Sequence, residues 1–244
     1  MLNKLLFSLG LAQLTFYYLF TISSQVKLPQ NSPPKVLITQ PSVENKLRWN
    51  SFVPFSIDVS DLEDGKSAYD EITPSEVLLQ VQYLPDSSQL KKSRAENSKP
   101  MHQALLHMSR NNCFQCHRFK YKLIGPSFTA IAKQYTIDSS TVELLAEKMM
   151  KGSTGHWGDL EMPPNPDLQV EEAKKMVHWI LAQCADENQT HYVGTEGAFK
   201  TRQKKEGVEN GKYLLTARYV DHGVPGQVDS EREGKHTVVM NIGE

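Results

Sequence analysis

Five residues, Cys113-Phe114-Gln115-Cys116-His117, constrain this chain more than any other stretch. Two thiols about one helical turn apart can each add across a vinyl group of a porphyrin. A histidine directly after the second thiol is then held under the iron. The spacing therefore predicts covalent attachment of a c-type haem, with His117 binding iron through an imidazole nitrogen. The same cysteines could instead form a thioredoxin-like redox pair or half of a zinc site. A structural zinc site wants four ligands, and only Cys184 remains as a third thiol. A thioredoxin-like pair wants a strand before it and a helix after it. Here a helical pattern precedes the pair, and a loop rich in Lys, Tyr and Gly follows it.

At 244 residues the chain is long enough for one large or two small domains. A formal net charge of -1 gives no basis for a nucleic-acid partner or for an anionic membrane surface. Three cysteines are too few for a disulfide scaffold, and Cys184 sits in a helical pattern as a small core residue. Near the N-terminus, Lys4 precedes an apolar run from Leu5 to Ile22, a basic region followed by a long hydrophobic one. No clear small-x-small site follows at Ser23-Ser24-Gln25. A cleaved signal peptide and an uncleaved membrane anchor both remain open. Lys4 ahead of the run favours a cytoplasmic N-terminus and an exported body. The expected location is the periplasm, with anchorage to the inner membrane by the N-terminal helix as one possibility. Export agrees with the haem motif, because the attachment machinery works outside the cytoplasm.

Read in order, the chain divides into a signal peptide or anchor at 1–24, a linker at 25–33, a β module at 34–86, a polar linker at 87–100, a helical haem domain at 101–186 and a small β module at 187–244. The fold class is multidomain, an all-α domain between two all-β modules. Strand-like runs are Lys35 to Thr39, Phe52 to Val59 and Glu76 to Leu84, the last with Val77, Leu79, Val81 and Tyr83 on one face. In the helical part, Met101, Ala104, Leu105 and Met108 form one apolar stripe. A short helix is expected near Phe128 to Gln134. Ser140 and Glu143 suggest a capping box for a helix to about Met150. A last helix, Val170 to Cys184, carries Ala173, Met176, Val177, Ile180, Leu181 and Cys184 on one face.

The ligand opposite His117 decides what a haem here does. An open position allows gas binding or peroxide chemistry, whereas a thioether closes the iron and raises its potential. Met162 is the candidate, in Glu161-Met162-Pro163-Pro164, where the prolines stiffen the loop. Met149 and Met150 fall at a helix end and read as core. His102, His107 and His178 read as surface or core residues.

Together Cys113-x-x-Cys116-His117, Ile124-Gly125-Pro126-Ser127-Phe128, Gly155-His156-Trp157-Gly158 and Met162-Pro163-Pro164 make residues 101–186 resemble a class I monohaem cytochrome c of the short bacterial type. The resemblance implies one covalent haem c, with His117 and Met162 axial. It implies that the Pro126 carbonyl accepts a hydrogen bond from the other nitrogen of His117. It also implies that Trp157 lies by a haem propionate. His156 departs from the pattern and is expected to face water.

Residues 33–86 resemble a PKD-type immunoglobulin-like domain, whose acidic loop Asp61, Glu63 and Asp64 is either solvated turn chemistry or a calcium site. The stretch Gly211 to Gly223 resembles the small β module that follows such domains in exported bacterial quinone-dependent sugar dehydrogenases. No catalytic domain is present, so no dehydrogenase activity is carried over and no enzyme is expected. The expected function is single-electron transfer by an exported c-type cytochrome, with a dehydrogenase or a terminal oxidase as redox partner. Two alternatives are a haem sensor or peroxidase with a labile Met162, and a haem-containing carbohydrate-binding or adhesion protein. In the last, Tyr192, Tyr213 or Tyr219 would touch sugar.

Overall fold

The computed structural model describes residues 31–206 and 211–243. The expected signal or anchor at 1–24 lies outside the described residues, as does most of the first linker. Among the described residues, no helix is long and apolar enough to cross a membrane.

The first strands are β1 (Lys35–Gln40), β2 (Leu47–Arg48), β3 (Phe52–Asp61), β4 (Gly65–Lys66) and β5 (Leu78–Leu84), with alternating apolar and polar residues in β1 and β3. Helices then follow: α1 (Leu90–Ser98), α2 (Gln103–Arg110), α3 (Cys113–Cys116), α4 (Phe128–Gln134), α5 (Ser139–Lys151) and α6 (Val170–Gln183). The strands β6 (Gln189–Val193), β7 (Glu196–Lys200), β8 (Lys212–Val220) and β9 (Glu233–Gly243) come last.

The strands form two sheets. In one, β3 pairs with β1, β4 and β7; the other runs β2-β9-β8-β5-β6. This differs from two separate β modules. Phe55 lies opposite Gly197, and Val81 lies between Thr190 and Leu215. The strands of 34–86 are too few to cover their own apolar faces, and the C-terminal strands complete both sheets. One core forms between the sheets, with Phe55, Ile57 and Val59 from the first meeting Leu79, Leu215 and Ala217 from the second.

The second sheet is buried on its other face too, which hides the simple alternation of β5 and β8. Leu78 points away from the sheet-to-sheet core and joins the helical core of Ala104, Met108, Phe114, Phe119, Met176 and Ile180. Two cores thus stand either side of one sheet, which gives the chain its multidomain character. Tyr213 and Tyr219 are buried at 2% and 0% exposure, so packing and not sugar contact is their role.

Residues 87–100, expected as a linker, contain α1. It carries no apolar stripe and is fastened by polar contacts instead. Asn97 Nδ2 donates to Thr216 Oγ1 at 3.4 Å, and Arg218 donates to the carbonyls of Asn97 and Lys99 at 2.6 and 3.1 Å. Arg218 also pairs with Glu233, whose other carboxylate oxygen accepts from Met101 N at 2.9 Å. This largely enclosed pair ties the start of the helical region to β8 and β9. The α5 cap also differs from the expected one. Asp138 accepts from Thr141 N at 2.8 Å and takes the N-cap position in place of a Ser140–Glu143 box.

Candidate functional site

Helix α2 buries Ala104, Leu105 and Met108, and α6 buries Ala173, Met176, Val177 and Ile180 in the same core. These helices hold the segment that carries the two thiols. After α2, Asn112 adopts a left-handed conformation, φ 57°, which turns the chain into the single turn α3. Cys113 and Cys116 stand at its two ends, and both side chains line one cleft of about 180 Å³. Burial pushes the Cys113 thiol up to about 11.

His117 N donates to Cys113 O at 3.0 Å and leaves the turn in an extended conformation. The loop after it folds back because Cys116 O accepts from Ile124 N and Gly125 N at 3.1 and 2.9 Å. That return places Pro126 O 2.7 Å from His117 Nδ1. A carbonyl can only accept, so Nδ1 carries the proton and the Nε2 lone pair is left free, the form a metal-ligating imidazole needs. Phe128 stacks on the ring at 5.4 Å and 19°. Burial lowers the proton affinity of His117 below the ordinary imidazole value, and the Pro126 bond offsets this only in part. Gly125 passes so close that a methyl group there would run into the imidazole. Its role is contact, not turn geometry.

A second segment contributes to the same cleft. Helix α5 stops at Gly152, where φ is 80°, and Ser153 pairs with Met162 through two backbone bonds of 3.0 and 2.8 Å. A Cβ on Gly152 would come within 2.6 Å of Met162 O. Asn165 N donates to the carbonyl of Met150 at 3.1 Å, and its side chain donates to Asn111 Oδ1 at 3.1 Å. The Asn111–Asn165 bond joins the two segments. Between them, Gly155 N donates to Gly158 O at 3.2 Å in the turn that carries Trp157.

All six residues singled out from the sequence, Cys113, Cys116, His117, Pro126, Trp157 and Met162, line this cleft. Its floor is apolar, with Met108, Phe128, Ile131, Val177 and Ile180. Two thiols one turn apart, an imidazole with a free lone pair, a thioether from another segment and an apolar floor fit a tethered porphyrin. Trp157 is 38% exposed and stands at the rim. His156 faces solvent, with its ring 5.8 Å from Tyr135 and 5.6 Å from Trp157. Met149 also lines the cleft but packs against the helical core with Met150. His102 caps α2 through Ala104 N, His107 lies 3.8 Å from Glu172, and His178 is exposed.

Sequence reasoning assigned no role to Gly125, Phe128, Asn111 or Asn165. Gly125 and Phe128 flank the Pro126 carbonyl, which was the available signal for them. The paired asparagines gave none, because their contact spans two distant loops.

The model of the family described as Cytochrome c matches residues 106–183. Cytochrome c-552 of Nitrosomonas europaea is 39% identical over 72 residues, 30% of this chain and 70% of the relative. Cytochrome c-551 of Azotobacter vinelandii is 39% identical over 69 residues, 28% of this chain and 83% of the relative. Cytochrome c-552 of Hydrogenobacter thermophilus is 40% identical over 70 residues, 29% of this chain and 70% of the relative.

Proposed function

Since the chain belongs to the cytochrome c family through residues 106–183, we propose that it carries single electrons at a haem c that Cys113 and Cys116 would hold and whose iron His117 and Met162 would bind. The haem supplies the one-electron chemistry; the chain's residues set its attachment, ligation and surroundings. Cys113 and Cys116 give the two thioether tethers. Pro126 holds the His117 proton on Nδ1 and so keeps Nε2 available as a donor. The Ser153–Met162 pairing and the following prolines fix the sulfur-bearing loop. A closed, two-ligand iron favours electron transfer over oxygen or peroxide chemistry.

The observation that supports this most is the 2.7 Å contact between His117 Nδ1 and Pro126 O, on a wall that also presents both thiols. Two attached thiols also imply assembly outside the cytoplasm, so export is part of the reading. The N-terminal run supports it as signal or anchor. Trp157, at the cleft rim, would donate to a propionate. The redox partner is a protein such as a dehydrogenase or a terminal oxidase. The β body serves as the scaffold that presents the cleft to it.

Met162→Ala is the test. Protein made in a host competent for haem attachment should gain the mass of one haem with either residue at 162. The parent should show a low-spin spectrum with a sulfur–iron band, and the variant a high-spin spectrum with a lower reduction potential. An unchanged spectrum and potential would remove Met162 from the iron.

A further inference from the structure

Five carboxylates gather at one end of the β body. Asp61, Glu63 and Asp64 lie where β3 turns into β4, Glu76 lies just before β5, and Asp221 lies just after β8. Strand register explains part of the meeting. Lys35 pairs with Ser60, so the chain ahead of β1 continues beside the 61–64 turn and brings Asn31 there. Asn31 Nδ2 donates to Asp221 Oδ1 at 2.9 Å and to Ser230 O at 2.7 Å. Asp64 Oδ2 accepts from the Tyr219 hydroxyl at 2.6 Å and from His222 N at 2.9 Å.

The turn itself accounts for some of these oxygens. Asp61 Oδ1 accepts from Glu63 N and Asp64 N at 3.0 and 2.9 Å, ordinary loop chemistry. Asp221 Oδ1 accepts from Gly223 N and Arg232 N, each at 2.9 Å. The opposite ends are different. Asp61 Oδ2, Asp221 Oδ2 and Asn31 Oδ1 are buried, and no donor reaches any of them. Asp221 is 0% exposed and Asn31 7%. A buried charged oxygen without a partner is costly, and three acceptors together cannot satisfy one another. Glu63 shares their surroundings. It lies on the same turn, with its side chain exposed.

We propose that Asn31 Oδ1, Asp61 Oδ2 and Asp221 Oδ2 are the protein ligands of a Ca²⁺ ion, completed by Glu63 from the turn. The donors are all oxygen, which suits a hard cation and not zinc or copper. His222 is engaged with Asp64 and Glu76, at 3.0 and 3.3 Å, and is not a ligand. Among the described residues, no three His, Cys, Asp or Glu side chains already stand as a metal cage. An amide oxygen is therefore essential, and Glu63 must turn inward from the surface. Such a site belongs with the weaker extracellular class, with a dissociation constant of about 10⁻⁴–10⁻³ M.

The test uses full-length haem-loaded protein stripped with a chelator, titrated with CaCl₂ by calorimetry and followed by thermal unfolding. One Ca²⁺ should bind and raise Tm. Asp61→Asn and Asp221→Asn should each abolish the heat and the rise while the haem spectrum stays unchanged. MgCl₂ at the same concentration should not substitute. Stripped parent protein with no heat and no change in Tm up to about 10 mM CaCl₂ would overturn the proposal. So would undiminished binding in the Asn variants. If Asp221→Asn fails to fold, Glu63→Gln on the exposed turn joins Asp61→Asn in carrying the same decision.

Discussion

In the helical region, the residues that meet around His117 are near neighbours in sequence. His117 meets Pro126 and Phe128, and Cys116 meets Ile124 and Gly125. In the β body they are not. Phe55 faces Gly197, Leu79 faces Ala217, and Asn31 bonds to Asp221. The first region organises a site from short loops on a helical frame; the second draws its strands from both sides of that region. Local chemistry can build a cofactor site, whereas a scaffold of this kind exists only once both halves of the chain have arrived.

The sharpest way to break the comparison is at the joint. Arg218→Ala leaves the partly buried Glu233 without its cation and frees the carbonyls of Asn97 and Lys99. Stability should fall by about 3–5 kcal/mol. The β body and the haem absorbance should then lose their common unfolding midpoint in urea. A single shared midpoint would show that the two regions melt as one whatever joins them.

A smaller effect is expected inside the site. Gly125→Ala forces the imidazole or the loop to move, at about 1–3 kcal/mol. The iron's reduction potential should shift while the far-ultraviolet signal of the strands stays constant. An unchanged potential would mean that the His117 ring adapts without leaving its place.

The smallest effect lies on the seam. His191 packs between Phe119 at 5.0 Å and Trp179 at 5.6 Å. Burial, with Arg218 and Lys120 adding to it, pushes its imidazole down to about 3. The unfolded chain takes up this proton near pH 6.5, but the folded chain does not until about pH 3. Stability should therefore fall as pH drops through that window, by at most about 1.4 kcal/mol per unit. Urea midpoints at pH 7 and pH 5 check it, and His191→Gln should flatten the slope.

These contrasts also explain what could be read before the structure. Cys113, Cys116 and His117 were singled out by their spacing along the chain, Met162 by the prolines after it and Pro126 by the family resemblance, and all five line the cleft. The strands themselves were legible from alternation, but alternation names a face and not a neighbour. Nothing in Val81 announces Thr190 on one side and Leu215 on the other. Helix α1 was missed because Ser93 and Asn97 are its buried residues, and polar burial leaves no apolar period. Arg218 and Glu233, fifteen residues apart, carry no sequence signal that marks them as partners.

Residues 85–188 leave the second sheet from β5 and return on its immediate neighbour β6, where Gln82 lies opposite Gln189. Adjacent strands sit about 4.8 Å apart. A domain hung from one strand can swing, but one hung from two neighbours cannot rotate freely about either. The bearing of the iron is thus set when the chain folds, not searched for at each encounter. For any protein gripped by the β body, the tunnelling distance becomes an inherited dimension of the scaffold.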